Sequence, residues 1–128
     1  MRFLLDTHLL LWGVSEPHRL SQRARKLLED NSNKFVFSAV NMWEIAVKRA
    51  LGRPDFLTEA GILRRQLLTD GFFELAMTSE HAIFAASLPQ LHKDPFDRLL
   101  VSQASVEGIM LLTSDRIVAG YPGPIQRV

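Results

Sequence analysis

Short apolar runs alternate along the chain with longer segments in which apolar residues recur at helical spacing. The runs lack the polar–apolar alternation of a half-exposed strand, which indicates strands that are buried on both faces. The pattern predicts strands over 2–5, 35–37, 72–77 and 109–113, with a short edge strand over 125–128. It predicts helices over 7–14, 21–29, 38–51, 58–70, 79–88 and 94–107. Strands separated by helices favour an α/β fold, a three-layer α/β/α sandwich with a central parallel sheet.

The composition adds little that is unusual. The chain has 128 residues, 47% of them hydrophobic, which is enough to bury a substantial core, and we expect one domain over 1–128. Cysteine is absent, which excludes disulfide bonds and thiolate metal sites and fits a cytoplasmic location. Asp6 and His8 interrupt the apolar N-terminus, so a signal peptide is not expected. No apolar stretch approaches the length of a membrane span, so no membrane association is expected.

Four acidic residues are unusual because they lie inside or directly beside apolar stretches: Asp6, Glu44, Asp97 and Asp115. A carboxylate in such surroundings is costly unless its charge is compensated. Asp6 directly follows the first predicted strand and Asp115 lies two residues after the fourth, at the edge where ligands gather in open α/β sheets. Glu44 and Asp97 fall in the first two turns of helices that begin at the same edge. A divalent cation shared by all four would compensate them, which favours a metal-dependent phosphodiesterase.

Each of the four also has a plain structural interpretation. Asp6 is suited to cap the helix that begins at Thr7, and Asp115 is suited to cap the turn over 116–120. Glu44 precedes Lys48 by four residues, so an ordinary helix ion pair is available. The segment 94–97 is similar to a capping box with a first-turn proline, and for Asp94 the capping interpretation is favoured.

The helical positions of two of the residues favour the metal-site interpretation. Glu44 shares a helical stripe with Val40, Val47 and Leu51, which predicts that it points toward the core. Asp97 lies similarly above three apolar residues, namely Leu100, Val101 and Ala104. A surface ion pair or a helix cap does not require a position on the buried side of a helix, whereas a metal ligand at a sheet edge does.

The chain also resembles a known family through four segments: LLDTH (4–8), NMWEIAVK (41–48), HKDPFDRLL (92–100) and LTSD (112–115). They resemble, in order and spacing, the motifs of PIN-domain nucleases, and in particular the VapC-like toxins of toxin–antitoxin modules. The resemblance implies a parallel α/β/α fold and an Mg²⁺- or Mn²⁺-dependent endoribonuclease whose acidic positions match Asp6, Glu44, Asp97 and Asp115. It also implies a cognate antitoxin and a homodimer. Many members carry a further acidic residue after the fourth, where this chain has the apolar segment 117–119.

The chemistry of phosphodiester hydrolysis suits these residue types. Mg²⁺ prefers oxygen ligands and keeps several waters, so a few carboxylates suffice. A bound ion lowers the pKa of water and neutralises charge on the phosphate, and one carboxylate can accept a proton from the attacking water. The net charge of +1 is small, but gathering four carboxylates in one site leaves the remaining surface basic, as binding to RNA requires. Lys93 and Arg98, close to the acidic edge, are candidate phosphate contacts.

Two alternatives stay open at this point. The first is phosphoryl transfer with Asp6 as nucleophile, which the absence of an Asp two residues later disfavours. The second is a catalytically degenerate PIN-like interaction module, which would be expected to have lost a ligand, and all four acidic positions are intact. Since clustered carboxylates raise one another's pKa, we also expect Asp6→Asn to raise the melting temperature of the metal-free protein.

Overall fold

A computed structural model describes all 128 residues. In chain order the elements are β1 (Arg2–Leu5), α1 (Thr7–Ser15), a 3₁₀ turn (Pro17–Arg19), α2 (Gln22–Glu29), β2 (Lys34–Ser38), α3 (Ala39–Ala50), α4 (Ala60–Thr69), β3 (Phe73–Leu75), α5 (Ser79–Ala86), α6 (Pro95–Glu107), β4 (Met110–Thr113), α7 (Arg116–Ala119) and β5 (Ile125–Arg127). Strands and helices alternate along almost the whole chain, which brings consecutive strands into parallel orientation.

The five strands form one sheet in the order β3-β2-β1-β4-β5, and every neighbouring pair is parallel. Leu4 of β1 pairs with Val36 of β2 on one side and with Leu111 of β4 on the other. The predicted α/β/α fold with a central parallel sheet is confirmed. β1 and β4 are central neighbours, so their carboxyl ends lie side by side.

Both faces of the sheet are covered, which explains the uninterrupted apolar strands. Phe3 and Leu5 of β1 are buried in a core with α1, α2 and α4, while Leu4 is buried in a second core with α6 and α7. Successive side chains of a strand point to opposite faces, so a strand between two cores is apolar at its central positions. None of the helices has both the length and the apolar character that crossing a membrane requires.

The observed bounds differ from the predicted ones mainly at the sheet edge. The third predicted strand covered 72–77, whereas β3 pairs only over Phe73–Leu75, because an edge strand has a single neighbour. The predicted helix over 58–70 begins at Ala60, and Glu59 is its N-cap. The turn expected after Asp115 is the short helix α7. The remaining differences are one or two residues at the ends of helices and strands, where assigned bounds commonly differ by that much.

Candidate metal centre

A cleft of about 370 Å³ opens beyond the carboxyl ends of β1 and β4, beside the first turns of α3 and α6. Its lining is mostly polar and consists of Asp6, Thr7, His8, Trp12, Glu44, Lys48, Arg53, His92, Asp94, Asp97, Ser114 and Asp115. The four acidic residues singled out in the sequence therefore lie together in one cleft, with Asp94 as a fifth carboxylate.

Asp6 is buried and tightly held where β1 passes into α1. Its Oδ1 accepts the backbone N–H of Leu9 at 2.9 Å, which caps α1. Its Oδ2 accepts the Thr113 hydroxyl at 2.6 Å and the Ser114 N–H at 3.3 Å. Thr113 is the last residue of β4, and Ser114 directly follows it. Burial raises the pKa of Asp6 although these hydrogen bonds favour the ionised form.

Glu44 lies in the second turn of α3 and is almost fully buried. One carboxylate oxygen accepts the Thr7 hydroxyl and the other accepts the Lys48 ammonium at 2.6 Å. Lys48 also donates to Asp94 Oδ2 at 3.0 Å. Burial alone would lower the pKa of Lys48, but its bonds to the two carboxylates raise it, so the ammonium stays charged.

Asp97 lies in the first turn of α6, and its pKa is strongly raised. Burial raises its pKa, and the carboxylates of Asp94, Glu44, Asp6 and Asp115 raise it further, to about 8. Burial contributes most to this shift and the four neighbouring carboxylates add to it, so the ionised form of Asp97 is disfavoured in the cleft. A cation placed among these groups would favour the ionised form.

The rim of the cleft is formed by His92 and Asp115. His92 Nε2 is 3.2 Å from Asp97 Oδ2 and 3.6 Å from Asp115 Oδ2. The other ring nitrogen, Nδ1, accepts the Asp94 N–H at 3.1 Å. Asp115 Oδ1 caps α7 by accepting the Ile117 N–H at 2.7 Å, while its Oδ2 remains at the solvent-accessible edge.

The donor set fits a hard divalent cation. Two groups each offer three ligand atoms that lie within 4.8 Å of one another: His92, Asp97 and Asp115, and Glu44, Asp94 and Asp97. Asp97 belongs to both groups. Carboxylate oxygens with at most one imidazole are donors that Mg²⁺ and Mn²⁺ accept, and the absence of cysteine removes the competing thiolate sites.

The structural interpretations of these residues hold as well. Asp6, Asp94 and Asp115 each cap a helix, and Glu44 pairs with Lys48. A carboxylate has two oxygens with about four acceptor positions in all, so a cap uses only part of its capacity. Helix capping and metal binding are therefore compatible at the same side chain.

Sequence reasoning missed part of the lining of the cleft. Lys48 and Arg53 face the cleft, although neither was a candidate site residue, and the only signal was the spacing of Lys48 from Glu44. Arg98, a candidate phosphate contact, donates to the backbone carbonyls of Ala85 and Pro89, which counts against that role. Lys93 is exposed and does not line the cleft. Leu51, placed on the buried stripe of Glu44, is 72% exposed because it lies past the end of α3.

Comparison with known families agrees with this geometry. The model of the PIN domain matches residues 3–123, which is almost the whole chain. The chain belongs to the PIN-domain family. The resemblance found in the four sequence motifs is thereby confirmed.

Individual PIN-domain relatives match over most of their length. Ribonuclease VapC22 of Mycobacterium tuberculosis is 29% identical over 122 residues, covering 94% of this chain and 92% of the relative. The fold is shared with VapBC2 from Rickettsia felis bound to a promoter DNA fragment, with a TM-score of 0.73, 14% identity and coverage of 100% and 99%. It is also shared with a toxin–antitoxin complex from Klebsiella pneumoniae, with a TM-score of 0.64, 18% identity and coverage of 96% and 94%.

Proposed function

We propose that this protein is a divalent-metal-dependent endoribonuclease and the toxin of a toxin–antitoxin pair. The observation that carries the proposal is the convergence of five carboxylates in one cleft, where Asp97 belongs to two groups of ligand atoms close enough to hold an ion. Membership in the PIN-domain family and similarity to a relative named ribonuclease VapC22 support RNA as the substrate. The solved toxin–antitoxin complexes of the same fold support the assignment to a toxin.

The metal ligands that we propose, for Mg²⁺ or Mn²⁺, are Asp6 and Asp97, with Glu44 and Asp115 bound directly or through water. When bound, the ion would activate a water molecule and neutralise charge on the phosphate. The protein fixes its own ligands in advance, since the hydroxyls of Thr113 and Thr7 hold Asp6 and Glu44 in single orientations. Asp115 Oδ2 lies at the rim of the cleft, where it is well placed to accept a proton from an attacking water.

Phosphate contacts are proposed for the basic residues near the cleft. Arg53 lines the cleft and is a better candidate than Arg98, whose guanidinium is occupied by backbone carbonyls. Lys93 is exposed beside the His92 rim and remains a candidate for a more distant phosphate. A charged side chain at either position would attract the RNA backbone without reading its sequence.

A cognate antitoxin and a homodimer complete the proposal. An antitoxin that covers the cleft would block the access of RNA to the carboxylates. Size-exclusion chromatography with light scattering tests the dimer, for which twice the mass of one 14.5 kDa chain is expected. A single-chain mass at micromolar concentration would contradict it.

The decisive experiment is RNA cleavage by the purified protein with Mg²⁺, with Mn²⁺ and with a chelator. We expect cleavage with either ion, none with the chelator, and none by Asp97→Asn or Asp6→Asn with either ion. Cleavage that persists in chelator would contradict the metal requirement. The absence of cleavage in every condition, with the fold intact, would instead favour a degenerate interaction module.

A further inference from the structure

Lys48 lies in the acidic cleft as a cation supplied by the protein itself. Its ammonium bridges Glu44 Oε2 at 2.6 Å and Asp94 Oδ2 at 3.0 Å. The side chain is only 13% exposed, and the ammonium lies 5.1 Å from the ring centroid of Phe56 and 5.6 Å from that of Phe96. Two carboxylates and two aromatic faces thus enclose one charge, which distinguishes this contact from an exposed helix ion pair.

The ammonium occupies one of the two possible metal positions. Glu44, Asp94 and Asp97 form one of the donor groups of suitable size, and Lys48 binds two of its three members. The remaining oxygens of these two members accept the Thr7 hydroxyl and the Phe96 N–H. The second group, His92, Asp97 and Asp115, has no lysine or arginine among its ion-pair partners.

We infer that Lys48 is a positioning residue that takes the place of a second metal ion, so that the cleft binds a single divalent cation on the Asp97–Asp115 side. The ammonium holds Glu44 and Asp94 together and offsets their mutual repulsion, whether or not metal is present. The ammonium offsets this repulsion without the bound waters that Mg²⁺ keeps. Lys48 lies one turn after Glu44 on α3, which fixes the position of the ammonium. This inference deepens the proposed function and rests on its metal site.

The test counts bound Mn²⁺ by equilibrium dialysis, with free Mn²⁺ measured by electron paramagnetic resonance. We expect one ion per chain for the wild type and for Lys48→Arg, which keeps the charge. We expect two ions per chain for Lys48→Met, because the Glu44–Asp94 position then lacks its cation. Lys26→Met removes a lysine from the exposed side of α2 and is the matched control, with one ion expected.

Thermal unfolding gives a second readout that a purely structural lysine would not produce. In chelator, Lys48→Met is expected to melt several degrees below the wild type, or not to fold, because two adjacent carboxylates have lost their counter-ion. Saturating Mn²⁺ should restore most of that loss, and Lys48→Arg should need no such restoration.

The outcomes separate this inference from the proposed function. Two ions on the wild type would overturn the role of Lys48 and leave the metal-dependent nuclease intact. One ion on Lys48→Met, with a melting deficit that Mn²⁺ does not repair, would do the same. No ion on the wild type would overturn both the inference and the proposed metal requirement.

Discussion

Two clusters of polar side chains in this protein, each partly buried, are built in opposite ways. The first is a network of Ser38, His81, Gln103 and Glu107 between the sheet and α6, which we call the His81 network. His81 Nδ1 accepts the Thr78 N–H, so its Nε2–H donates to Glu107 at 2.8 Å. Gln103 accepts the Ser38 hydroxyl and donates to the Ala76 carbonyl. Donors and acceptors match one another, and the one charged group, Glu107, lies at the partly exposed end of the network.

The acidic cleft is equally well hydrogen-bonded but is not balanced in charge. No buried side-chain nitrogen or oxygen in the chain lacks a partner, yet the pKa of Asp97 is raised to about 8. Hydrogen-bond satisfaction therefore does not distinguish the two clusters, whereas net charge does. A network that stabilises the fold needs only matched donors and acceptors, and a site prepared for a cation retains an excess of anions.

The largest expected effect is on RNA cleavage, when a carboxylate of the acidic cleft is changed to an amide. The same change in the His81 network serves as the comparison. Glu44→Gln should lower RNA cleavage at least ~100-fold, since loss of a few kcal/mol of charge stabilisation costs a factor of ten for each ~1.4 kcal/mol. Glu107→Gln, the matched change, should stay within about twofold, because Gln still accepts from His81. Initial cleavage rates at saturating Mg²⁺ measure both. Equal losses of cleavage rate in the two variants would contradict the proposed difference between the two clusters.

In the His81 network, Gln103→Leu should destabilise the protein by about 3 kcal/mol, because it leaves buried polar partners unpaired. The partners are the Ser38 hydroxyl and the Ala76 carbonyl. Urea unfolding should give the same loss with and without Mn²⁺. Gln66→Leu, on the exposed face of α4, is the control and should change stability by less than about 0.5 kcal/mol. A loss that metal reverses would tie this network to the cleft.

In the acidic cleft, the metal-free protein should lose stability as pH rises. Asp97 has an ordinary pKa of 3.8 in the unfolded chain and about 8 in the folded one. The folded state therefore holds a proton that the unfolded chain releases between these values, and stability from this group is full below pH 3.8 and falls through pH 8. The full shift corresponds to about 4 kcal/mol between pH 5 and 8, at about 1.4 kcal/mol per pH unit. Because the Asp97 side chain is partly exposed, solvent screening reduces the expected loss in chelator to about 2 kcal/mol. Asp97→Asn should flatten this dependence in urea unfolding.

A smaller gain is expected from Asp97→Asn itself. At pH 8 in chelator it should stabilise the protein by about 1 kcal/mol, a rise of a few degrees in melting temperature, because the amide carries no charge. Asp70→Asn, on an exposed residue at the end of α4, is the control and should have almost no effect. A clear fall for Asp97→Asn would mean that its contacts matter more than its charge.

The structure also changes which carboxylate suits this stability test. From sequence, Asp6→Asn was expected to raise the melting temperature. Asp6 accepts three hydrogen bonds, from Leu9, Thr113 and Ser114, and both of its oxygens are used. An amide would place a donor against one of these donors, which offsets the relief of repulsion. Asp97 is therefore the better position.

Most of the secondary structure could be predicted because its signals lie in neighbouring residues of the chain. Helix caps such as Ser21 and Asp94, and apolar strands such as β1, are set by neighbouring residues, so the elements and the parallel sheet could be predicted. Asp6 and Asp115 were placed correctly at one edge because parallel strands end together. The contacts of Arg98 with the Ala85 and Pro89 carbonyls could not be predicted, because spacing along the chain does not reveal which distant carbonyls a guanidinium reaches.

By itself, the sequence determined the alternation of strands and helices, the burial of both sheet faces and the set of carboxylates at the carboxyl edge. Only the tertiary structure decided that Lys48 also bridges to Asp94 while Asp97 keeps a raised pKa. The physical reason is the separation along the chain of the residues that interact. Backbone conformation and burial follow from neighbours along the chain, whereas the balance of charge in a cleft depends on ångström-scale distances between residues up to about a hundred positions apart.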